Sequence, residues 1–266
     1  MQLRWYQRES LDAVYQYLNA ETGNPLVCVS TGGGKSVIIA KLIEELLSEN
    51  PGRRFLVLSH VKEILEQNYS KLKAISPLLD IGIYSASLKR KDTDSQVLFA
   101  GIQSVHKKAF DLPPYDFVLV DECHLINAAK DTTMYSQFFA DATKMNPNIK
   151  VIGFSATPYR MKSGLLTQGD NALFDEIVYE TDIQQLIDDG YLSPLVTKGG
   201  RQKIDLTGVR TQNGDYATKD MEKAVNKDDL TDKALAEIIE LGADRKSWLI
   251  FGVSVNHCLE IEDKLK

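Results

Sequence analysis

Three short runs bring together residue types that handle phosphate, metal ions and protons. The first is Ser30-Thr31-Gly32-Gly33-Gly34-Lys35-Ser36. Glycines let a backbone curl until successive N–H groups face one anion, a lysine behind them reaches the β and γ phosphates of a nucleotide, and the next hydroxyl can sit on Mg²⁺. Thr31, Gly32, Gly33, Gly34, Lys35 and Ser36 are therefore candidate nucleotide-binding residues, with Lys35 also a catalytic candidate. A glycine-rich turn followed by a chance Lys-Ser is the ordinary alternative, and the strict pattern asks for glycine where Val29 stands. The second run is Asp121-Glu122-Cys123-His124, directly after the apolar Phe117-Val118-Leu119-Val120. Mg²⁺ takes hard oxygen ligands, so Asp121 together with Ser36 could hold it while Glu122 orients and deprotonates an attacking water. A solvated acidic turn is the alternative. The third run, Ser155-Ala156-Thr157-Pro158, follows another apolar stretch and offers two hydroxyls that could relay the state of a phosphate, although such a turn is more often a plain loop.

These runs need elements to hold them. Short β-branched apolar segments at 26–29, 55–59, 81–85, 97–100, 117–120 and 151–154 alternate with longer helical patterns. Near-continuous apolar strands joined by crossover helices indicate a mostly parallel sheet covered on both faces, an α/β fold. The glycine run falls between the first of these strands and a helix over 36–47, where Ile39, Leu42, Ile43, Leu46 and Leu47 recur at helical spacing before Pro51-Gly52. An amphipathic helix over 3–18 precedes the first strand. A short helix over 182–190 closes on glycine and leads to Tyr191-Leu192-Ser193-Pro194, where a domain junction is expected. Beyond it come a polar, turn-rich stretch, a helix over 230–241, a strand over 248–251 and a last helix. That is too little to cover a sheet on both faces, so an incomplete second α/β domain is expected over 191–266, after a first domain over 1–190.

Composition narrows the classes. With 43% hydrophobic residues the chain can fill a real core, and none of its apolar runs approaches the roughly 20 residues that cross a bilayer. Three cysteines with no CxxC pair, each in an apolar run, suggest buried thiols in a reducing compartment, by default the cytoplasm. The net charge of −6 is the wrong sign for holding DNA by bulk electrostatics, so any nucleic-acid contact must be local.

With the three runs in this order, the chain resembles superfamily two helicases, in the DEAH-like branch (here reading Asp-Glu-Cys-His) that contains Rad25-like DNA helicases and restriction-enzyme motors. Leu3-Arg4-Trp5-Tyr6-Gln7-Arg8 is similar to the family's adenine-recognising element, which implies that Arg4 and Gln7 read the base. A glutamine amide can pair with adenine N6 and N7. The glycine run resembles motif I, where the superfamily tolerates a residue such as Val29, and the acidic and Ser-Ala-Thr runs resemble motifs II and III. The resemblance implies that His124, Ser155 and Thr157 couple the nucleotide to the strand being moved. Val57-Leu58-Ser59-His60-Val61-Lys62-Glu63-Ile64-Leu65 is similar to motif Ia, with Val61 where many relatives carry arginine, and Gly101-Ile102-Gln103-Ser104-Val105 is similar to the next element. His60, Lys62, Gln103, Ser104 and Arg160 are the implied contacts to the nucleic-acid backbone, and the run from Ser155 to Arg160 inclines the reading to DNA over RNA.

The resemblance implies a RecA-like P-loop NTPase fold, an ATP- and Mg²⁺-dependent helicase or translocase, no membrane partner, and an opening part of a second RecA-like domain. The later motifs, including the run that supplies arginine fingers, are absent before Lys266. The chain by itself is therefore expected to bind ATP and hydrolyse it slowly. A nucleotide-dependent DNA-binding or partner-docking module that does not unwind is the second reading, and a small-molecule NTPase the third.

Overall fold

Runs such as Phe55-Leu56-Val57-Leu58 and Val118-Leu119-Val120 carry no polar side chain to leave facing water, so they settle where helices cover them on both sides. The computed structural model describes residues 2–126, 133–160, 164–169, 172–201, 203–212, 215–225 and 230–266. The chain divides into two compact units, Met1–Ser193 and Pro194–Lys266.

In the first unit, α1 (Trp5–Ala20) leads into β1 (Pro25–Cys28), α2 (Lys35–Glu49), β2 (Phe55–Ser59), α3 (Lys62–Ile75), β3 (Ile81–Ser85) and β4 (Arg90–Lys91). Next come β5 (Val97–Gly101), the single turn α4 (Ile102–Val105), β6 (Phe117–Asp121), α5 (Met134–Met145), β7 (Lys150–Ser155), the hairpin of β8 (Tyr159–Arg160) with β9 (Gly164–Leu165), β10 (Glu176–Glu180) and α6 (Ile183–Asp188). The main sheet has the order β10-β1-β7-β6-β2-β5-β3-β4 and is parallel apart from β4, which pairs antiparallel with β3. One face is covered by α1, α2 and α3 around Leu42, Ile43, Phe99 and Phe154; the other is covered by α4 and α5 around Val105, Tyr135 and Phe138. This is the RecA-like α/β architecture.

The six strands expected in the first unit form, two with the expected bounds and four shifted or extended by one residue at an end. The main sheet has two more strands outside the expected set, and the β8–β9 hairpin lies apart from it. β10 reads Glu-Ile-Val-Tyr-Glu and has one neighbour, so its charged ends tolerate solvent and it lacks the apolar run of a central strand. β4 is two exposed residues long, too short to leave a pattern.

The second unit holds the hairpin of β11 (Thr211–Gln212) with β12 (Asp215–Tyr216), then α7 (Thr218–Val225), α8 (Leu230–Leu241) and α9 (Val255–Leu265). Asn213-Gly214, in the stretch expected to be turn-rich, lies outside the described residues. Residues 248–251, expected as a strand, are not one: Leu249 and Phe251 are 82% and 86% exposed. An apolar run becomes a strand only where another strand offers it hydrogen bonds, and none lies beside this one among the described residues.

Cys28 and Cys123 fill the core as expected, and burial pushes the Cys28 thiol up to about 12, which keeps it protonated and inert. Cys258 departs from the expectation: it lies exposed on α9, because the apolar pattern around it belongs to only one helix face. Among the described residues no helix is long and apolar enough to cross a membrane.

Candidate functional site

Register brings the three chemical runs to one level of the sheet. β1 lies beside β7 with Cys28 opposite Ser155, and β7 lies beside β6 with Phe154 opposite Asp121. Because these strands are parallel, the residues that follow them leave the same carboxyl edge, the edge where open α/β sheets bind ligands.

The glycine run makes the turn from β1 into α2. Gly32 and Gly34 take left-handed φ values of 81° and 85°, which side chains rarely adopt, and Gly34 is the N-cap of α2 with no side-chain cap. An uncapped helix start leaves first-turn N–H groups for an anion. A Cβ on Gly34 would sit 2.6 Å from Gln7 Nε2, and one on Gly33 would sit 2.6 Å from Val29 Cγ1. The loop is therefore built on bare backbone. It is braced from α1: the buried Tyr6 hydroxyl donates to the Gly33 carbonyl at 2.8 Å, and Gln7 Nε2 donates to the same oxygen at 3.1 Å. Gln7 Oε1 accepts from the Arg4 N–H at 3.1 Å, so both ends of the amide expected to read adenine already hold the chain, each with one bonding capacity left. The Arg4 guanidinium donates to the Tyr6 hydroxyl at 2.9 Å and lies 4.8 Å over the Tyr191 ring.

The acidic run meets this loop from β6. Lys35 Nζ is 3.3 Å from Glu122 Oε1, with the two side chains 11% and 21% exposed. Glu122 is held at φ 52°, ψ 45°, the left-handed region that non-glycine residues avoid, a kind of strain that clusters at working sites. Asp121 is buried at the tip of β6; Oδ2 accepts from Asn68 Nδ2 at 2.7 Å and Oδ1 from the Glu122 N–H at 2.9 Å. Burial raises the Asp121 carboxyl above the ordinary range, and the Asn68 hydrogen bond and Lys35 oppose that rise.

The third run closes the circuit. Ser155 Oγ donates to the Thr157 carbonyl at 2.9 Å and accepts from the Thr157 N–H at 3.0 Å. The hydroxyl has one hydrogen, so in its 3.0 Å contact with His124 Nδ1 the ring nitrogen is the donor. The same Nδ1 is 3.3 Å from Glu122 Oε2. Lys35, Glu122, His124 and Ser155 thus form one continuous polar chain across three loops.

Asp121 at the tip of β6 and Ser36 in the first turn of α2 offer a carboxylate and a hydroxyl, hard oxygens of the kind Mg²⁺ takes. Among the described residues no group of three or more His, Cys, Asp or Glu stands together to cage a metal. Ser30 Oγ and Asn68 Oδ1, at the loop and beside Asp121, are buried without a hydrogen-bond partner.

The expected nucleic-acid residues gather farther along the same edge. A cleft of about 320 Å³ is lined by His60 and Lys62 after β2, Ser85 at the end of β3 and Ser87 after it, and Gln103 and Ser104 after β5. Gln103 Nε2 donates to the His60 carbonyl at 2.8 Å and Ser104 Oγ accepts from the Ala86 N–H at 3.0 Å, so both side chains also tie the loops together. The side chain of Arg160 lies outside the described residues.

Sequence reasoning passed over Tyr6, Asn68, Tyr191 and Thr181, whose Oγ1 accepts from the Ser30 N–H at 3.0 Å. One signal was available: the buried face of α3 runs Leu65, Asn68, Leu72, and an asparagine in an apolar stripe asks for a buried partner. The other three become visible only when the chain folds.

The family model described as "Type III restriction enzyme, res subunit" matches residues 1–160. The chain is 28% identical to the "Putative ATP-dependent helicase IRC3" of Saccharomyces cerevisiae over 99% of this chain and 39% of that protein. It therefore spans about two fifths of that relative's length. Among solved structures, the UvsW helicase from bacteriophage T4 matches 67% of this chain and 60% of its own, at a TM-score of 0.51 and 20% identity. A nuclease-deletion mutant of the type ISP restriction-modification enzyme LlaGI, in complex with a DNA substrate mimic, matches 72% and 21% at 0.53 and 17%.

Proposed function

The chain belongs to the family described as type III restriction enzyme, res subunit, and on that premise we propose that it is the ATP-binding part of a superfamily two motor that translocates along or unwinds DNA. The observation that carries this reading is the meeting of Lys35 and Glu122 at 3.3 Å, with Asp121 next in the chain and the Ser155–His124 contact alongside. An amine in the mouth of a glycine loop, facing two acids from another strand, is an arrangement suited to a nucleoside triphosphate with its metal.

In this reading Lys35 exchanges Glu122 for the β and γ phosphates when ATP arrives, which frees Glu122 to orient and deprotonate water. Ser36 and Asp121 would hold Mg²⁺, whose charge offsets that of the phosphate oxygens. Arg4 and Gln7 face the base, and His124, Ser155 and Thr157 carry the state of the γ-phosphate toward β7 and the loops beyond it. The cleft between His60 and Ser104 contacts the sugar-phosphate backbone, which gives grip without sequence preference. Residues 1–190 form the first RecA-like lobe, and residues 191–266 the linker and opening part of the second. Placement in the DEAH-like branch, near Rad25-like helicases and restriction motors, rests on Asp121-Glu122-Cys123-His124 and on the run from Ser155 to Arg160. A substrate of DNA is supported by the DNA-bound LlaGI structure among the fold neighbours, and a reducing compartment such as the cytoplasm by the inert buried thiol of Cys28.

The test is ATP hydrolysis by the protein carrying this chain, with and without DNA. Turnover should rise with DNA and vanish in Lys35→Ala; turnover indifferent to DNA and untouched by that substitution would overturn the proposal.

A further inference from the structure

We infer that Asn68 is a positioning residue for the metal-binding carboxylate, a role that nothing in the three chemical runs assigns. The inference rests on the nucleotide-site reading above and adds a residue to it.

Asn68 is 1% exposed in the middle of α3, on the stripe it shares with Leu65 and Leu72. An unpaired buried amide costs free energy, so an apolar residue would serve the core better unless the amide has a partner. It has one: Nδ2 donates to Asp121 Oδ2 at 2.7 Å, the short distance of a charge-assisted bond. A neutral donor suits this place. A cation there would neutralise the carboxylate and compete with Mg²⁺, whereas an amide fixes the rotamer without bringing a positive charge. The Glu122 N–H holds the other oxygen at 2.9 Å, so the carboxylate is clamped from both sides before any metal arrives. Asn68 Oδ1 is buried without a hydrogen-bond partner, so the second end of the amide keeps its accepting capacity beside Asp121.

The helix that carries Asn68 begins at the cleft. Lys62 and Leu65 of α3 line it, and Leu65 precedes Asn68 by three residues, on the same helix face.

Binding of a fluorescent ATP analogue to the 266-residue chain tests this, measured with Mg²⁺ and with EDTA in the wild type, Asn68→Leu, Asn68→Ser and Asp121→Asn. The wild type should bind more tightly with Mg²⁺. Both Asn68 variants should lose about tenfold or more of that gain, the usual cost of removing a partner of a metal ligand, while metal-free affinity stays at the wild-type value. In the Asp121→Asn background, Asn68→Leu should change nothing further. Full retention of the Mg²⁺ gain in the Asn68 variants, or equal weakening with and without metal, would overturn the inference; Asn68→Ser, smaller and still polar, decides if the leucine variant fails to fold. Absence of any Mg²⁺ gain in the wild type, or indifference to Asp121→Asn, would instead remove the nucleotide-site reading and this inference with it.

Discussion

The two ends of the sheet's carboxyl edge are built differently. At the end formed by β1, β7 and β6, charged and polar side chains are partly buried and already locked to one another, from Lys35 through Glu122 and His124 to Ser155. At the end formed by β2, β5 and β3, the cleft has short polar side chains, an exposed His60 and Lys62, and few bonds beyond Gln103 to His60 and Ala86 to Ser104. A triphosphate is a compact, fixed shape whose chemistry demands preset geometry. A polymer backbone is a repeating charge that must be gripped and released, so a looser surface serves it. The contrast predicts large, all-or-none effects of substitution at the first end and small, salt-sensitive ones at the second.

The sharpest way to break the comparison is Glu122→Gln. Loss of a positioned general base should lower DNA-stimulated ATP turnover of the protein carrying this chain by about 10²–10⁴-fold. Nucleotide binding should hold or tighten, because Lys35 loses the carboxylate that competes with phosphate for it. Single-turnover hydrolysis and a nucleotide titration on the same variant read both. Weakened binding would mean that Glu122 serves the loop and not the water.

Next in size is Lys35→Ala. A charge-assisted bond to phosphate contributes about 1.5–3 kcal/mol, so affinity for Mg²⁺-ATP should fall by a factor on the order of 10 to 100. Binding of an oligonucleotide without nucleotide should be unchanged. An equal loss of both would show that the two ends are not separable.

Gly34→Ala probes the frame that holds the first end. Its φ of +85° costs a side chain about 1–2 kcal/mol, and the added Cβ meets Gln7 Nε2 at 2.6 Å. Thermal denaturation should show the midpoint falling by about 2–8 °C, with nucleotide affinity reduced because the brace from α1 to the Gly33 carbonyl is pushed aside.

The same contrast explains what could be read from the sequence. The first end was legible because its demands are local: glycines where φ is positive, a lysine at a helix start, two acids and two hydroxyls at strand ends. The central strands were legible because burial on both faces forces continuous apolar runs. β10 was missed because an edge strand has no such constraint, and residues 248–251 were misread because an apolar run alone does not supply a neighbouring strand. Asn68, Tyr191 and Thr181 act through contacts 53 or more residues away in sequence, which no local pattern encodes. At the second end, Gln103 and Ser104 were picked out by resemblance alone, since a glutamine and a serine after a strand have many possible uses.

The smallest expected effect sharpens the comparison by adding to the second end. Val61 is the N-cap residue of α3, lines the cleft between His60 and Lys62, and is partly exposed. Its extended backbone accepts an arginine without strain, and its N–H donates to Ser59 Oγ at 3.2 Å, a bond that does not depend on the side chain. Val61→Arg should therefore fold normally and place one more guanidinium at the cleft. If that group meets one phosphate, affinity for a single-stranded oligonucleotide should rise a few-fold at low salt, and the slope of log K against log salt should steepen by about 0.7. Lys62→Ala should change the slope by a similar amount in the opposite sense. Nucleotide affinity should not move in either variant, because neither side chain touches the Lys35–Glu122 chain. A Val61→Arg variant whose salt slope stays at the wild-type value would place the polymer elsewhere than in the His60–Ser104 cleft, and would leave the nucleotide end of the edge as the only half of the comparison with an assigned ligand.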